Sequence, residues 1–389
     1  MTPLPSDFCR MLQEILGDEA DELIKALDEA PVTSIRLNRR KPGAEFKDSV
    51  PVPWCQSGYY LKQRPEFIFD PLLHAGAYYV QDASSMIYET VISRLLPLFN
   101  PDYKTADPLN SNSTLFLKIL DMCAAPGGKT TAMINALPDG CEITANEYSQ
   151  KRVGALKENL DKWGYANTIV TNKDSSFYAS QGEEYDIVAV DAPCSGEGMM
   201  RKEEIARTQW TPELVNQCSS LQKEILQNAE ASLKPGGFLI YSTCTFNRKE
   251  NEENAEYIHQ TLGLEPIDIE LPISWGIPKG INTYLPVYRF MPHKTKGEGL
   301  FISIFRKPGE WTPSRMKIKN IETKTSYPHV EVDKETALSY LRRESIILSP
   351  EAPRGLVTIT YKGLPLGEAK NIGSRANNLY PKNRRILKR

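Results

Sequence analysis

From Leu115 onward the chain alternates short apolar runs with amphipathic stretches, and no other feature restricts its possible folds as strongly. LFLKILDM reads as a strand, followed by helix Thr130 to Leu137, strand Glu142 to Asn146, helix Gln150 to Trp163 and strands Thr168 to Thr171 and Tyr185 to Asp191. Helix Pro212 to Leu233 and strand Gly237 to Ser242 continue the pattern, and a last strand is expected near Leu300 to Arg306. Alternation of this kind predicts a parallel sheet with helices on both faces. Such sheets bind ligands beyond the carboxyl ends of their strands, so the polar residues after each apolar run are where chemistry should be sought.

The flanks differ from this middle. Phe8 to Leu16 and Asp21 to Leu27 carry apolar residues at helical spacing. Ser34 to Leu37 and Tyr59 to Leu61 are strand candidates in a proline-rich stretch, Gln81 to Leu96 returns to helical spacing, and Pro101 to Thr114 reads as an exposed loop. Trp311 to Arg389 forms a third piece of strand-like and basic segments. At roughly 150 residues per domain, 389 residues predict two or three domains. The expected division is 1–110, 111–308 and 309–389.

The net charge of -2 hides an asymmetry. Met1 to Ala30 holds eight acidic and two basic residues, whereas Arg354 to Arg389 holds nine basic and one acidic. A basic end on a near-neutral chain is consistent with a nucleic-acid contact surface or with a solvated tail. No apolar run approaches the roughly 18 residues that span a bilayer, and MTPLPSDFCR lacks the pattern of a signal peptide. A cytoplasmic protein is expected. Seven cysteines in no paired framework suggest reduced thiols.

Five strand ends carry candidate chemistry. Asp121-Met-Cys-Ala-Ala-Pro-Gly-Gly-Lys-Thr is a small-residue turn whose glycines admit close approach of a ligand and whose following helix N-terminus favours an anion. Its spacing fits neither a P-loop nor GxGxxG, and a plain strand-to-helix turn remains the alternative. Glu147, about 20 positions beyond the turn, sits where open sheets hold ribose hydroxyls. Asp174 is a plausible acceptor for an adenine amino group or simply a cap. With the three in register, S-adenosylmethionine fits better than a dinucleotide, because nothing supplies a pyrophosphate cradle. Val190-Asp-Ala-Pro-Cys194 and Tyr241-Ser-Thr-Cys244 place two cysteines beyond buried strands, where a thiol could attack an electrophilic carbon if a neighbour such as Lys129 favoured its ionisation. Cys9, Cys55, Cys123, Cys141 and Cys218 read as small buried hydrophobes, Cys123 least securely because it lies in the glycine turn.

DMCAAPGGKT, NEYSQKRVGALKENLDKWG, VAVDAPCSGEGMMRK and LKPGGFLIYSTCTFNRKENEENAEYI together resemble the Nop/Sun family of RNA (cytosine-5) methyltransferases in order, spacing and identity. SIRLNRRK and GYYLKQRPEFIFDPLLHAGAYYVQDASSMI are similar to that family's N-terminal module, and RGLVTITYKGLPLGEAKNIGSRANNLYPKNRRILK is similar to the C-terminal RNA-binding region of its bacterial small-subunit ribosomal RNA methyltransferase F subgroup. The resemblance implies an α/β fold. A Rossmann-like S-adenosylmethionine-dependent core would carry a small N-terminal α+β module and a C-terminal PUA-like RNA-binding domain.

It also implies roles. Cytosine carbon 5 is a poor nucleophile, so a thiolate first adds to carbon 6; the Thr-Cys-Thr cysteine, here Cys244, would supply it. Cys194 of the Pro-Cys motif would help remove the carbon 5 proton. Asp191 would contact cofactor and cytosine edge, where a hydrogen bond near ring nitrogen 3 stabilises developing charge. Cys123, Ala124, Ala125, Pro126, Gly127, Gly128 and Lys129 would form the cofactor loop, Glu147 the ribose contact and Asp174 the adenine contact, with Lys129 also a catalytic candidate. No metal is implied, since a sulfonium activates its own leaving group. The target base would have to leave its stack. Small-subunit ribosomal RNA is the expected substrate, acted on by a monomer, with transfer RNA as the alternative within the class. A non-catalytic ribosome-assembly factor would be expected to lose the cofactor loop or a cysteine, and a small-molecule methyltransferase would need neither the paired cysteines nor the basic end.

Overall fold

The computed structural model describes residues 2–101, 103, 115–314 and 327–388. The expected loop at Pro101 to Thr114 falls, apart from Pro101 and Tyr103, outside the described residues, as does the expected boundary at 110.

Three sheets organise the chain. In the N-terminal module, helices α1 (Ser6–Leu16) and α2 (Ala20–Asp28) precede strands β1 (Ser34–Leu37), β2 (Val50–Pro51), β3 (Gly58–Tyr60) and β4 (Tyr78–Val80), which pair antiparallel in the order β2-β3-β1-β4. A short helix α3 (Pro71–His74) and a long one, α4 (Ile87–Phe99), complete the module. The expected helix from Gln81 begins later, because Gln81 and Asp82 are drawn into a loop and Ser84–Met86 forms one 3-10 turn.

The central sheet contains β5 (Lys118–Asp121), β6 (Glu142–Asn146), β7 (Thr168–Thr171), β8 (Tyr185–Asp191), β9 (Leu233–Thr243), β10 (Glu265–Pro266), β11 (Tyr288–Phe290) and β12 (Leu300–Arg306). Its order is β10-β12-β9-β8-β5-β6-β7, with β11 also on β12. Strands β5 to β9 are parallel, as the alternation predicts, whereas β12 runs antiparallel to β9, and β10 and β11 each pair antiparallel with β12. Successive side chains of a strand face opposite layers. Ile119, Ile187, Ala189, Phe238 and Ile240 therefore join one buried cluster, and Leu120, Val188, Val190, Leu239 and Tyr241 the other. Helices α4, α5 (Gly128–Ala136) and α6 (Gln150–Trp163) contribute to the first layer. The second is built from α7 (Ser175–Gln181), α9 (Pro212–Ser232) and α10 (Glu252–Gln260); α8 (Glu204–Gln209) lies at the margin. Chain order reverses about β5, since β6 and β7 lie on one side and β8 and β9 on the other, so the crevice opens at that reversal.

The modules are joined by polar as well as apolar contacts. Fully buried Arg36 of β1 donates to Gln81 Oε1 (2.8 Å), Thr131 O (3.1 Å) and Gly128 O (3.2 Å) and lies 4.6 Å above the Trp163 ring. Gly76 adopts φ 74° so close to α6 that a Cβ would sit 1.9 Å from Lys162 O. Phe8, Leu12, Leu23 and Leu27 of α1 and α2 are fully buried against Met200, Trp210, Phe246 and Met291, each such burial stabilising by about 1.5–3 kcal/mol.

The C-terminal unit is a sheet of β13 (His329–Glu331), β14 (Gly355–Tyr361), β15 (Leu364–Asn371) and β16 (Ala376–Asn378) with helix α11 (Lys334–Leu341). Its core takes in Ala75 and Phe69 of the N-terminal module. Part of the basic end is turned inward, for Arg384 pairs with Asp161 of α6 at 2.7 Å, whereas Lys388, 3.5 Å from Glu66, stays on the surface. Arg384 thus serves docking and is withdrawn from the basic surface. Trp311, just beyond the expected boundary at 308, packs on Phe99 and donates to Asp186 of the central domain.

Candidate active site

The first strand end is held open from behind. Ala124 N donates to Asn146 O (2.7 Å) and Gly127 N to Ala124 O (2.7 Å), while Asn159 of α6 donates to Pro126 O (2.8 Å) and Arg152 to Ala125 O. Gly127 turns the chain with φ 105°, and α5 starts at Gly128 with no side-chain cap. Its first amides are therefore free of side-chain partners, and with the helix dipole they suit a carboxylate. Glu147 follows β6, buried; it accepts from Ser149 N (2.8 Å) and pairs with Arg152 (3.3 Å). Asp174 follows β7, exposed, and caps α7 by accepting from Ser176 N (3.0 Å) and Oγ (2.6 Å), bonds that hold its carboxyl below the usual carboxylate range. An uncapped helix N-terminus with carboxylates beyond the next two strands fits a ligand carrying its own carboxylate, hydroxyls and an amino-bearing ring, which is the composition of S-adenosylmethionine.

Asp191 ends β8. Its Oδ2 accepts from Lys129 Nζ (2.8 Å) and its Oδ1 from Ser242 Oγ (2.7 Å), and Ser242 is itself 2.8 Å from the Tyr88 hydroxyl of α4. Burial alone would lower the Lys129 ammonium, but the Asp191 carboxylate outweighs it and the net direction is upward. Lys129 thus stays a cation whose first partner is Asp191. Tyr88 and Ser242, invisible as site residues in the sequence, hold that carboxylate in place.

The two cysteines meet. Cys194 Sγ and Cys244 Sγ are 3.3 Å apart, each half-buried, on the loops after the adjacent parallel strands β8 and β9. The Cys194 thiol is raised well above its usual range, first by its contact with Cys244 and then by burial. Cys123 is also raised, by burial and by the nearby Asp121 and Asp191. Cys55 and Cys141 are buried, while Cys9 and Cys218 are half-buried, and Cys218 is raised by burial and by the nearby Glu250 and Cys244. Sequence reasoning also passed over Glu197, Asn247 and Glu250, which lie within a few residues of the cysteines. Their polar side chains would read as solvated, yet all three are buried.

An open sheet with a glycine turn after its first central strand and ligand-suited acids after the next two defines a Rossmann-like methyltransferase. The solved structure of NSun6 from Pyrococcus horikoshii with SFG shares this fold, with TM-score 0.64 and 21% identity over 79% of this chain and 99% of that one. Residues 108–306 match the family model of 16S rRNA methyltransferase RsmB/F, residues 4–83 the N-terminal domain of 16S rRNA methyltransferase RsmF, and residues 327–386 the methyltransferase RsmF PUA domain. The chain belongs to the RsmB/F family of 16S rRNA methyltransferases. Ribosomal RNA small subunit methyltransferase F of Aliivibrio fischeri (strain MJ11) is 32% identical over 336 residues, which are 81% of this chain and 66% of that protein. Its counterpart in Pectobacterium carotovorum subsp. carotovorum (strain PC1) is 34% identical over 271 residues, 66% of this chain and 52% of that protein. The chain therefore spans between about half and two thirds of the length of these curated relatives.

Proposed function

We propose that this protein methylates carbon 5 of a cytosine in 16S ribosomal RNA, using S-adenosylmethionine and a transient covalent bond from Cys244 to carbon 6. The observation that carries the reading is the pair of thiols at 3.3 Å beside the Lys129–Asp191 pair. Direct methylation at a nitrogen or hydroxyl would need neither thiol.

Cys244 adds to carbon 6 and drives electron density onto carbon 5. Asp191, fixed by Lys129 and Ser242, lies at the strand end where the cytosine edge would be read; its carboxylate would accept from the ring's amino group, and the Lys129 cation beside it would offset negative charge developing on the ring. Once Cys244 is bonded to carbon 6, the contact that most raises Cys194 is relieved, so Cys194 would give its proton to solvent, take the carbon 5 proton as a thiolate, and Cys244 would then be expelled as a thiolate. S-adenosylmethionine, when bound, supplies the methyl group on a sulfonium that departs as a neutral thioether. The loop Cys123 to Lys129 with Glu147 and Asp174 would hold it, a reading supported by the uncapped start of α5 and by SFG, an S-adenosylmethionine analogue, in the similar Pyrococcus structure. Among the described residues no helix is long and apolar enough to cross a membrane, which accords with action on cytoplasmic ribosomal RNA. The division into 1–110, 111–308 and 309–389 goes with this reading and is supported by the three matched ranges.

The test is bisulfite sequencing of ribosomal and transfer RNA from cells with and without the gene. One small-subunit cytosine that loses protection is the expected result. A lost site in transfer RNA would overturn the substrate, and no lost site in either would overturn the activity.

A further inference from the structure

Behind the two cysteines lie two buried carboxylates that the proposed reaction does not use. Glu250 accepts from Ser195 N (3.0 Å) and Ser195 Oγ, from Gln222 Nε2 (2.7 Å) and from Asn247 Nδ2 (2.8 Å). Glu197 accepts from Phe246 N and Asn247 N (3.0 Å), from Asn247 Nδ2 (2.7 Å) and from Trp210 Nε1 (3.0 Å). The backbone, amide and indole partners are all donors and favour ionised carboxylates, whereas burial and the neighbouring Glu197 push the Glu250 carboxyl up. Ser195 follows Cys194 directly, and Phe246 and Asn247 follow Cys244 by two and three residues, so the pair grips both cysteine loops and Asn247 bridges them. Gly198 N also donates to Cys244 O (2.7 Å), and a Cβ on Gly198 would sit 3.0 Å from that oxygen.

The grip is not symmetrical. Glu250 holds the amide next to Cys194, whereas the cation of the site, Lys129, is felt by Cys244. The titratable groups around Cys194 are Cys244, the Tyr241 hydroxyl within β9 and Glu250, with Glu197 and Cys218 beyond Glu250. Two thiols in contact cannot both ionise readily, because one thiolate opposes the second. Which of them reacts is then decided by the fixed charges behind each.

We propose that Glu250, braced by Glu197 and Asn247, is a positioning residue that divides the labour of the two cysteines, keeping Cys194 protonated until Cys244 has bonded to carbon 6, so that Cys244 alone acts as nucleophile. This rests on the reading of Cys244 and Cys194 given above, but its test needs no RNA. Alkylation by iodoacetamide proceeds through the thiolate, so initial rates at each cysteine, read by peptide mass mapping of the full chain between about pH 7 and 9, report which thiol ionises first.

In the unmodified protein Cys244 should be alkylated faster than Cys194 throughout; equal rates or the reverse order overturn the proposal whatever the variants do. Glu250→Gln keeps shape and most hydrogen-bonding capacity but removes the charge. It should raise the Cys194 rate about tenfold, the change in thiolate fraction that one pKa unit makes, and Glu250→Asp should restore the original order. Ser195→Ala removes one bond to Glu250 and keeps its charge, so it should leave the ratio unchanged. If Ser195→Ala shifts the ratio as far as Glu250→Gln does, the role is loop packing alone and the proposal fails. An unchanged ratio in Glu250→Gln sinks it equally. A protein that shows the expected alkylation order yet methylates no RNA would leave this inference standing while the functional reading fell.

Discussion

The loop after Cys244 depends on an ion pair far inside the protein, and breaking it should be costly. Arg289 of β11 and Glu252 at the start of α10 are 2% and 0% exposed at their side chains. Arg289 Nε donates to Glu252 Oε1 (2.6 Å), a second nitrogen reaches Oε2, and Nη1 donates to Phe246 O (2.7 Å), two residues past Cys244; Ile281 N donates to Glu252 as well (2.9 Å). Arg289→Ala would strand a buried carboxylate and a loop carbonyl. Loss of one partner of such a pair costs about 3–5 kcal/mol, which for a unit of about 200 residues lowers the melting temperature by roughly 6–20 °C at about 2–4 °C per kcal/mol. Replacing both members by apolar residues of similar volume removes the stranded charge, so Arg289→Met with Glu252→Leu should recover most of the loss. Urea denaturation of Arg289→Met, Glu252→Leu and the double variant closes the cycle. A single-variant loss under about 1 kcal/mol, or a double variant whose loss equals the sum of the singles, would refute the reasoning, since either would mean that the pair is hydrated or uncoupled.

Cys244→Ala should abolish methylation while S-adenosylhomocysteine still binds in calorimetry; retained turnover would end the nucleophile assignment. Cys194→Ala should allow the first addition but slow release, so RNA crosslinked to protein should accumulate on denaturing gels, and crosslinks surviving only in Cys244→Ala would mean that the roles are exchanged. Burial, opposed by the Thr130 hydrogen bond and reinforced by Asp191, lifts the Asp121 carboxyl to about 7. The fold therefore binds that proton more tightly than the unfolded chain does, so its contribution to stability is complete below about pH 4, is lost as pH rises to about 7 and is level beyond. Asp121→Asn should flatten that slope in denaturation measured across pH, and an unaltered slope would show that other groups produce it. Gly76→Ala should cost about 1–3 kcal/mol in backbone strain and more from the collision with Lys162 O; an unchanged melting temperature would show that α6 can withdraw.

How far the sequence foretells this arrangement depends on where the determining contacts lie along the chain. Glu142–Asn146, Gln150–Trp163, Thr168–Thr171, Tyr185–Asp191 and Leu300–Arg306 have the bounds that periodicity predicts, and all but the half-buried edge strand Thr168–Thr171 bury residues where their own spacing places them. Strand β9 begins four residues earlier than expected, at Leu233, since Leu233 pairs with Tyr185 of β8; Lys234-Pro-Gly-Gly lies in the register shift before Phe238, with Gly236 and Gly237 bonded to Lys307. Helix α10 is hidden for the opposite reason: its Glu- and Asn-rich sequence looks solvated, while Glu252 and Asn254 are fully buried because Arg289, Gln222 and Tyr241 partner them from elsewhere in the chain. The antiparallel run of β12 is likewise set by its pairing with β9 rather than by its own residues.

The site divides along the same line. A strand end announces itself locally, so Asp191, Cys194, Cys244 and the glycine turn are legible one by one. The residues that determine how those groups behave are not, because their evidence is distance in space at long separation in sequence: Tyr88 reaches Ser242 across 154 positions and Glu250 reaches Ser195 across 55. A chain could keep every motif cysteine and still lose the difference between the two thiols if Glu250 were neutralised. Activity in this family should therefore follow the buried carboxylates behind the cysteines as closely as it follows the cysteines themselves, and Glu250→Gln is the substitution in which the two expectations part.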